Sequence, residues 1–243
     1  MKRLISQTIL ALLVIGLAAN PVLSQDAKNI IEKSIEAQGG KKLLGSIEDI
    51  TMTGTLEIIQ QGLSGDLTRY WKPGKTRFDL EVMGMQITQA YDGETAWMLN
   101  PQTGLVEEMP ENAAQSTKRD AMGIEATLNP EKYGITYEYK GKETIEGKEY
   151  FLIMTTYKDG FSTTSFIDTK TYLTYKTMGT ITDDTMGMEI EVESIASDYK
   201  EVNGITMSHT TVQYRDGEEY LTISISDVKI NTGIDDSIFV MDK

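Results

Sequence analysis

The chain has 243 residues, no cysteine, one histidine, and 37 acidic against 23 basic side chains, for a formal net charge of −14. Zero cysteines exclude disulfides, thiolate nucleophiles and cysteine-ligated metals together. The acidic excess argues against a nucleic-acid face, which has to be basic, and against adhesion to anionic lipid surfaces.

Residues 1–24 read as a secretory leader. Lys2 and Arg3 form a basic start, Ile9 to Ala19 an apolar core, and Val22-Leu23-Ser24 a cleavage site before Gln25. The apolar run is shorter than the roughly 20 residues a spanning helix needs. Removing 24 of 243 residues leaves 219, and losing Lys2 and Arg3 takes the charge from −14 to −16. The mature chain, 25–243, is expected to be one exported, periplasmic domain, since all-β cores of this size are often single.

Ala27, Ile30, Ile31 and Ile35 recur at helical spacing, which predicts a helix over 26–38 with Asp26 as N-cap and Gly39-Gly40 as the stop. The period then switches to two. Ile50, Met52, Gly54, Leu56 and Ile58 alternate with Thr51, Thr53, Thr55 and Glu57, the pattern of a strand with one buried face. A second strand over 67–72 ends at Pro73-Gly74, and a third sets Phe78, Leu80 and Val82 against Arg77, Asp79 and Glu81. Asp92-Gly93 predicts a hairpin between apolar runs at 85–91 and 96–99, ended by Asn100-Pro101.

Residues 110–130 lack alternation, and Glu111 to Met122 is expected to be helical, as a linker or a lid. Strands resume near Ile135. Turn pairs at Glu146-Gly147, Asp159-Gly160, Asp168-Thr169, Asp183-Asp184, Asn203-Gly204 and Asp216-Gly217 predict an antiparallel meander. Tyr150 to Tyr157 is apolar at both parities and reads as a central, doubly covered strand. Glu189, Glu191 and Glu193 mark one acidic wet face. The fold class is α+β: a strongly curved antiparallel sheet with an N-terminal helix and a middle helical segment on one side.

Enzyme signatures are sparse. His209 reads as a surface strand histidine, and one histidine does not build the usual metal site. No G-x-S-x-G elbow, calcium loop, G-x-G-x-x-G or phosphate-binding loop occurs. Carboxylate pairs abound, but none is singled out as the two-sided pair a glycosidase needs. The expectation is a non-enzyme without cofactor or metal.

The phrase YDGETAWMLNP at 91–101 resembles the LolA lipoprotein-carrier family, and GDLTRYWKPGKTRFDL at 65–80 is similar to that family's strand–turn–strand. The later series YKGKETIEGKEYFLIMTTYKDG, FIDTKTYLTYKTM, YKEVNGITMSH and DDSIF resembles exported relatives in the same superfamily. The resemblance spans most of the mature chain. It implies a half-open β-barrel whose apolar concave face, lidded by helices, shields acyl chains of a lipid or lipoprotein between membrane-bound donor and acceptor complexes, with the chain acting as a monomer.

On that resemblance Trp71, Phe78, Leu80, Val82, Met85, Ile87, Trp97 and Leu99 are expected to line the cavity; plain core packing is the alternative for each. Met83, Met98, Met122, Met154, Met186 and Met188, with Met85, fit either an adaptable apolar surface or gap-filling. Lys72 stands before Pro73, where the family places the arginine of its lid latch. Lysine keeps the charge but loses the planar fork of donors. Two other readings stay open: a sensor or scaffold of the same fold that holds a lipid-modified partner without transporting it, and a secreted carboxylate-dependent hydrolase.

Overall fold

In a computed structural model of the chain, which describes residues 21–101, 103–182 and 187–241, the first helix (α1) spans Pro21–Ala37. The chain is already helical at Pro21, ahead of the expected start at Asp26. The leader reading falls outside the described residues up to position 20, as do the turn at Asp183-Asp184 and Met186. The helix stops at Gly39 (φ 125°) and Gly40 (φ 86°) as expected, and Thr206 N–H donates to the Gln38 carbonyl at 3.1 Å. A short helix, α2 (Lys41–Leu44), follows.

Among the described residues thirteen strands then form one antiparallel sheet. They are β1 (Ile50–Ile58), β2 (Leu63–Lys72), β3 (Lys75–Val82), β4 (Met85–Tyr91), β5 (Ala96–Leu99), β6 (Val106–Glu108), β7 (Thr136–Ile145), β8 (Lys148–Thr156), β9 (Ser162–Asp168), β10 (Thr174–Thr182), β11 (Glu189–Val202), β12 (Ile205–Arg215) and β13 (Glu218–Ile230). The order is β6-β5-β4-β3-β2-β1-β13-β12-β11-β10-β9-β8-β7, so two meanders join where β1 meets β13, and β6 and β7 remain as free edges. At that junction a bulge between Thr53 and Gly54 lets the strands close up: a Cβ on Gly54 would stand 2.0 Å from the Ser224 carbonyl oxygen. Bulges of this kind increase local twist and bend.

The sheet curls strongly. β4 and β8 are nine places apart in the order, about 43 Å across a flat sheet. Yet Tyr91 and Tyr157, at the ends of these strands, line one cavity beside the middle helix. That helix, α3 (Glu111–Leu128), therefore lies inside the curl.

Strand register fixes which residues share the inner face. Ile50 pairs with Trp71 and with Ile230, and Leu56 with Gly65 and Ile223. Around Ile50 and Trp71 cluster Ile35, Leu44, Ile47, Ile205 and Val228. Further along α1, Ala27 and Ile30 pack on Ile153 and Ile167. Burial of each such isoleucine stabilises by about 2 kcal/mol. The expectation that Tyr150 to Tyr157 forms a central strand is corrected. β8 is next to the edge, and its two-sided apolar pattern arises because Ile153 meets α1 while Tyr150 stacks on Tyr175 across 4.8 Å on the other face. Glu189 and Glu191 are exposed, as expected, whereas Glu193 is half-buried and pairs with Lys176 at 3.1 Å.

Candidate functional site

α3 is two helical pieces. At Gly123 the backbone turns to φ 46°, ψ −133°, a conformation outside the helix and nearly confined to glycine. The expected helix end at Met122 coincides with this kink; beyond it a further piece continues to Leu128. A Cβ on Gly123 would meet the Trp71 indole at 2.3 Å from Nε1. The close approach allows Trp71 Nε1–H to donate to the Ala121 carbonyl at 3.0 Å, with both residues buried. Nearby, Arg69 faces Asp120 at 3.6 Å across a largely solvated gap. These two contacts join the helix to β2.

Beneath the kink lies a cavity of about 320 Å³. Leu44, Ile50, Met52, Trp71, Ile124 and Met207 give it apolar walls, and Arg69 and Asp120 stand at its edge. Its size falls at the low end of small-molecule sites, roughly 300–1,000 Å³.

The eight expected lining residues separate by register. Trp71 pairs with Thr76, so Phe78, Leu80 and Val82 share its face, and Ile87 and Met85 join them opposite Leu80 and Val82. Of these, Trp71 borders the cavity. Phe78, Leu80, Val82 and Ile87 pack with Leu56 and Leu67 elsewhere on the same inner face, and Met85 is 49% exposed at the β3–β4 turn.

Trp97 and Leu99 point the other way. Tyr91 pairs with Ala96 across a four-residue turn, which sets Trp97 opposite Ala90 and Leu99 opposite Thr88, on the outer face. There Trp97 Nε1–H donates to the Phe239 carbonyl at 2.7 Å and the Arg77 guanidinium lies over the indole at 5.8 Å. Their expected place inside the curl is thus corrected.

Lys72 is corrected in the same way. Its ammonium donates to the Ile234 carbonyl at 3.1 Å and pairs with Asp236, which Lys75 also holds at 2.7 Å. Hydrogen bonds from Lys72 and Lys75 bring the Asp236 carboxyl down to about 2. Both lysines secure the C-terminal segment against the outer face, not α3. That segment starts from a buried anchor. Asp49, 2% exposed, accepts from the N–H groups of Thr232 and Gly233 at 2.8 Å and of Ile234 at 3.3 Å. Burial pushes its carboxyl up, but these donors outweigh burial and hold it below the usual range.

His209 is also not on the surface. It lies on the inner face, 6% exposed, with Nδ1 3.2 Å from the Met207 carbonyl. The residues missed by sequence reasoning are Gly123, Arg69 and Asp120. A glycine inside an otherwise helical stretch was the available signal for the first. Among the described residues no group of three or more His, Asp or Glu side chains is arranged to hold a metal.

No protein-family model and no curated protein matches the sequence. Solved structures do match. A DUF1329 family protein from Desulfovibrio piger superposes with a TM-score of 0.61 at 14% identity, over 88% of this chain and 97% of that one. A LolA superfamily protein from Nitrosomonas europaea gives 0.60 at 13%, over 88% and 97%. The chain has the LolA-superfamily fold. A putative outer membrane lipoprotein-sorting protein domain from Vibrio parahaemolyticus agrees, with 0.59 at 13% identity over 89% and 97%. In this fold the cavity under Gly123 lies between Gln38 and Leu44 after the N-terminal helix, the middle helix and the inner face of the sheet.

Proposed function

We propose that the chain is a periplasmic carrier that buries acyl chains of a lipid or lipoprotein under α3, receiving them from one membrane-bound complex and yielding them to another. The observation that supports this most is the apolar cavity beneath Gly123, walled by Trp71, Met52 and Met207. The leader-like residues 1–24 and the likeness to lipoprotein-sorting domains support export.

The energies are matched to the task. Each methylene removed from water stabilises by about 0.8 kcal/mol. The contacts that hold α3 to β2 are one buried neutral hydrogen bond, worth about 1 kcal/mol, and one exposed ion pair worth less. Burial of two or three methylenes is therefore enough to offset these two contacts, while the apolar packing of Ala114 on Ala96 and Met109 keeps the start of α3 on the sheet. The carrier breaks no bond in its cargo.

Native mass spectrometry of the mature protein purified from a Gram-negative periplasm tests this. Co-purified phospholipid or acylated peptide is the expected result. Protein that arrives empty and also ignores added lipids and acyl-peptides would sink the proposal. Transfer of bound cargo to an acceptor then separates a carrier from a scaffold that only holds it.

A further inference from the structure

On the other side of α3 lies a larger cavity, about 730 Å³, walled by the β2–β3 turn, Tyr91 and Gly93, α3, Lys132 and Tyr133, and the β8–β9 turn. Its charge is the reverse of the chain's. Acids outnumber bases 37 to 23 overall, yet four bases and one carboxylate line this space, Lys118, Arg119, Lys132 and Lys158 against Asp159, besides Lys75, whose ammonium is turned to Asp236 at the outer face. Three of the bases are committed. Lys75 pairs with Asp236 at 2.7 Å, Lys132 with Glu125 at 3.1 Å, and Arg119 with Asp159 while its guanidinium lies 4.1 Å over the Phe161 ring. Lys118 and Lys158 have no carboxylate within ion-pair distance among the described residues. The cavity thus keeps uncompensated positive charge on the wall shared by α3 and the β8–β9 turn.

Two tyrosines stand at opposite ends of this space. Burial pushes the Tyr157 hydroxyl up and Arg119 pulls it back, with Asp120 and Asp159 opposing Arg119. Tyr91, at the far end, is pushed up by burial and further by Asp92 and Glu94. The unpaired bases thus stand on α3 and the β8–β9 turn, and the carboxylates of Asp92 and Glu94 by the β4–β5 turn. Pro73, Met122 and the tyrosine rings supply apolar wall. This cavity and the apolar one share α3 as a divider: Ala121 lines the larger, and its carbonyl holds Trp71, which lines the smaller.

We propose that the larger cavity receives the phosphate group of an amphiphilic cargo, seated among Lys118, Arg119 and Lys158, with the acyl chains in the apolar cavity across α3. This rests on the carrier reading and adds a cargo class to it: phosphate-bearing lipid over neutral lipid. Two cations, Lys118 half-buried and Lys158 exposed, both screened by salt, favour such a ligand by on the order of tenfold.

The test is calorimetric titration of the mature protein and of the double variant Lys118→Gln/Lys158→Gln with three probes. These are dioctanoyl-phosphatidylglycerol, dioctanoylglycerol and glycerol 3-phosphate. The expected result is a roughly tenfold preference of the parent for the phosphatidylglycerol over the diglyceride, shrinking as salt rises. The double variant should lose that preference and bind the diglyceride as before. Diglyceride binding with no preference in the parent, or a preference that survives in the variant, overturns the proposal and leaves the carrier reading intact. Glycerol 3-phosphate binding as tightly as the phosphatidylglycerol, with no diglyceride binding, overturns the lipid form of the proposal and the carrier reading together.

Discussion

Substituting Gly123→Ala probes the hinge of α3 directly. The glycine holds φ 46°, ψ −133°, which costs a residue with a Cβ about 1–3 kcal/mol in backbone strain. The new methyl carbon would also stand 2.3 Å from Trp71 Nε1 and 2.6 Å from Cε2. The indole is 6% exposed and packed among Ile50, Ile205 and Val228, so the helix has to move instead. Moving it breaks the Trp71–Ala121 hydrogen bond and leaves a buried N–H without an acceptor, a further loss of about 1–3 kcal/mol. The sum, about 2–6 kcal/mol, falls on the seam between the kink of α3 and β2. α3 should therefore open locally while the sheet stays folded. Native-state hydrogen exchange over 111–128 reads this as a loss of protection confined to the helix, with a red shift of Trp71 emission. Unchanged protection in α3, or equal loss throughout the sheet, would refute the reasoning.

Four other outcomes follow from the geometry. Trp97→Ala removes an indole from the outer face beside Phe239 and should destabilise by about 3–5 kcal/mol in urea titrations, without changing acyl affinity in the folded protein. Lys72→Ala should let the Asp236 carboxyl rise from about 2 toward its ordinary value, read by NMR titration, and leave exchange protection in α3 unaltered. Asp49→Asn leaves at least one of the N–H donors of residues 232–234 without a good acceptor and should cost about 2–4 kcal/mol. Because the Asp49 carboxyl titrates below its unfolded value, its contribution is complete above that unfolded value, near pH 4, and is lost as pH falls through the depressed folded value. Urea midpoints measured from pH 5 downward should fall more steeply for the parent than for Asp49→Asn.

Much of this architecture is legible in the residues. The alternation at 50–58, the Pro73-Gly74 turn and the Asp-Gly and Asn-Gly punctuation place strands and turns where the sheet has them. The faces are harder. A strand's two faces are told apart only by register, and a one-residue difference exchanges them. Trp71 and Phe78 fall together because Trp71 pairs with Thr76. Trp97 falls away because the turn after Tyr91 holds four residues, so Ala96, not Trp97, continues the inner face. Alternation placed His209 with Met207 and Thr211, but it did not say that this face is the covered one. Lys72 followed the same parity to the outer side, where a C-terminal segment distant in sequence meets it. The cationic cavity has no local signature at all. Its bases come from a strand turn, the middle helix and two later loops, and only the curl of the sheet brings them together.

The central claim, that an acyl chain lies under α3 beside Trp71, is tested most directly by the chain's two tryptophans. They stand on opposite faces of one sheet, one at the cavity and one outside it. Titrate a brominated fatty acid into Trp97→Phe, where only Trp71 emits, and into Trp71→Phe, where only Trp97 emits. Saturable quenching of Trp71 with Trp97 untouched is the predicted result. Quenching of Trp97 alone, or of neither, would contradict the account.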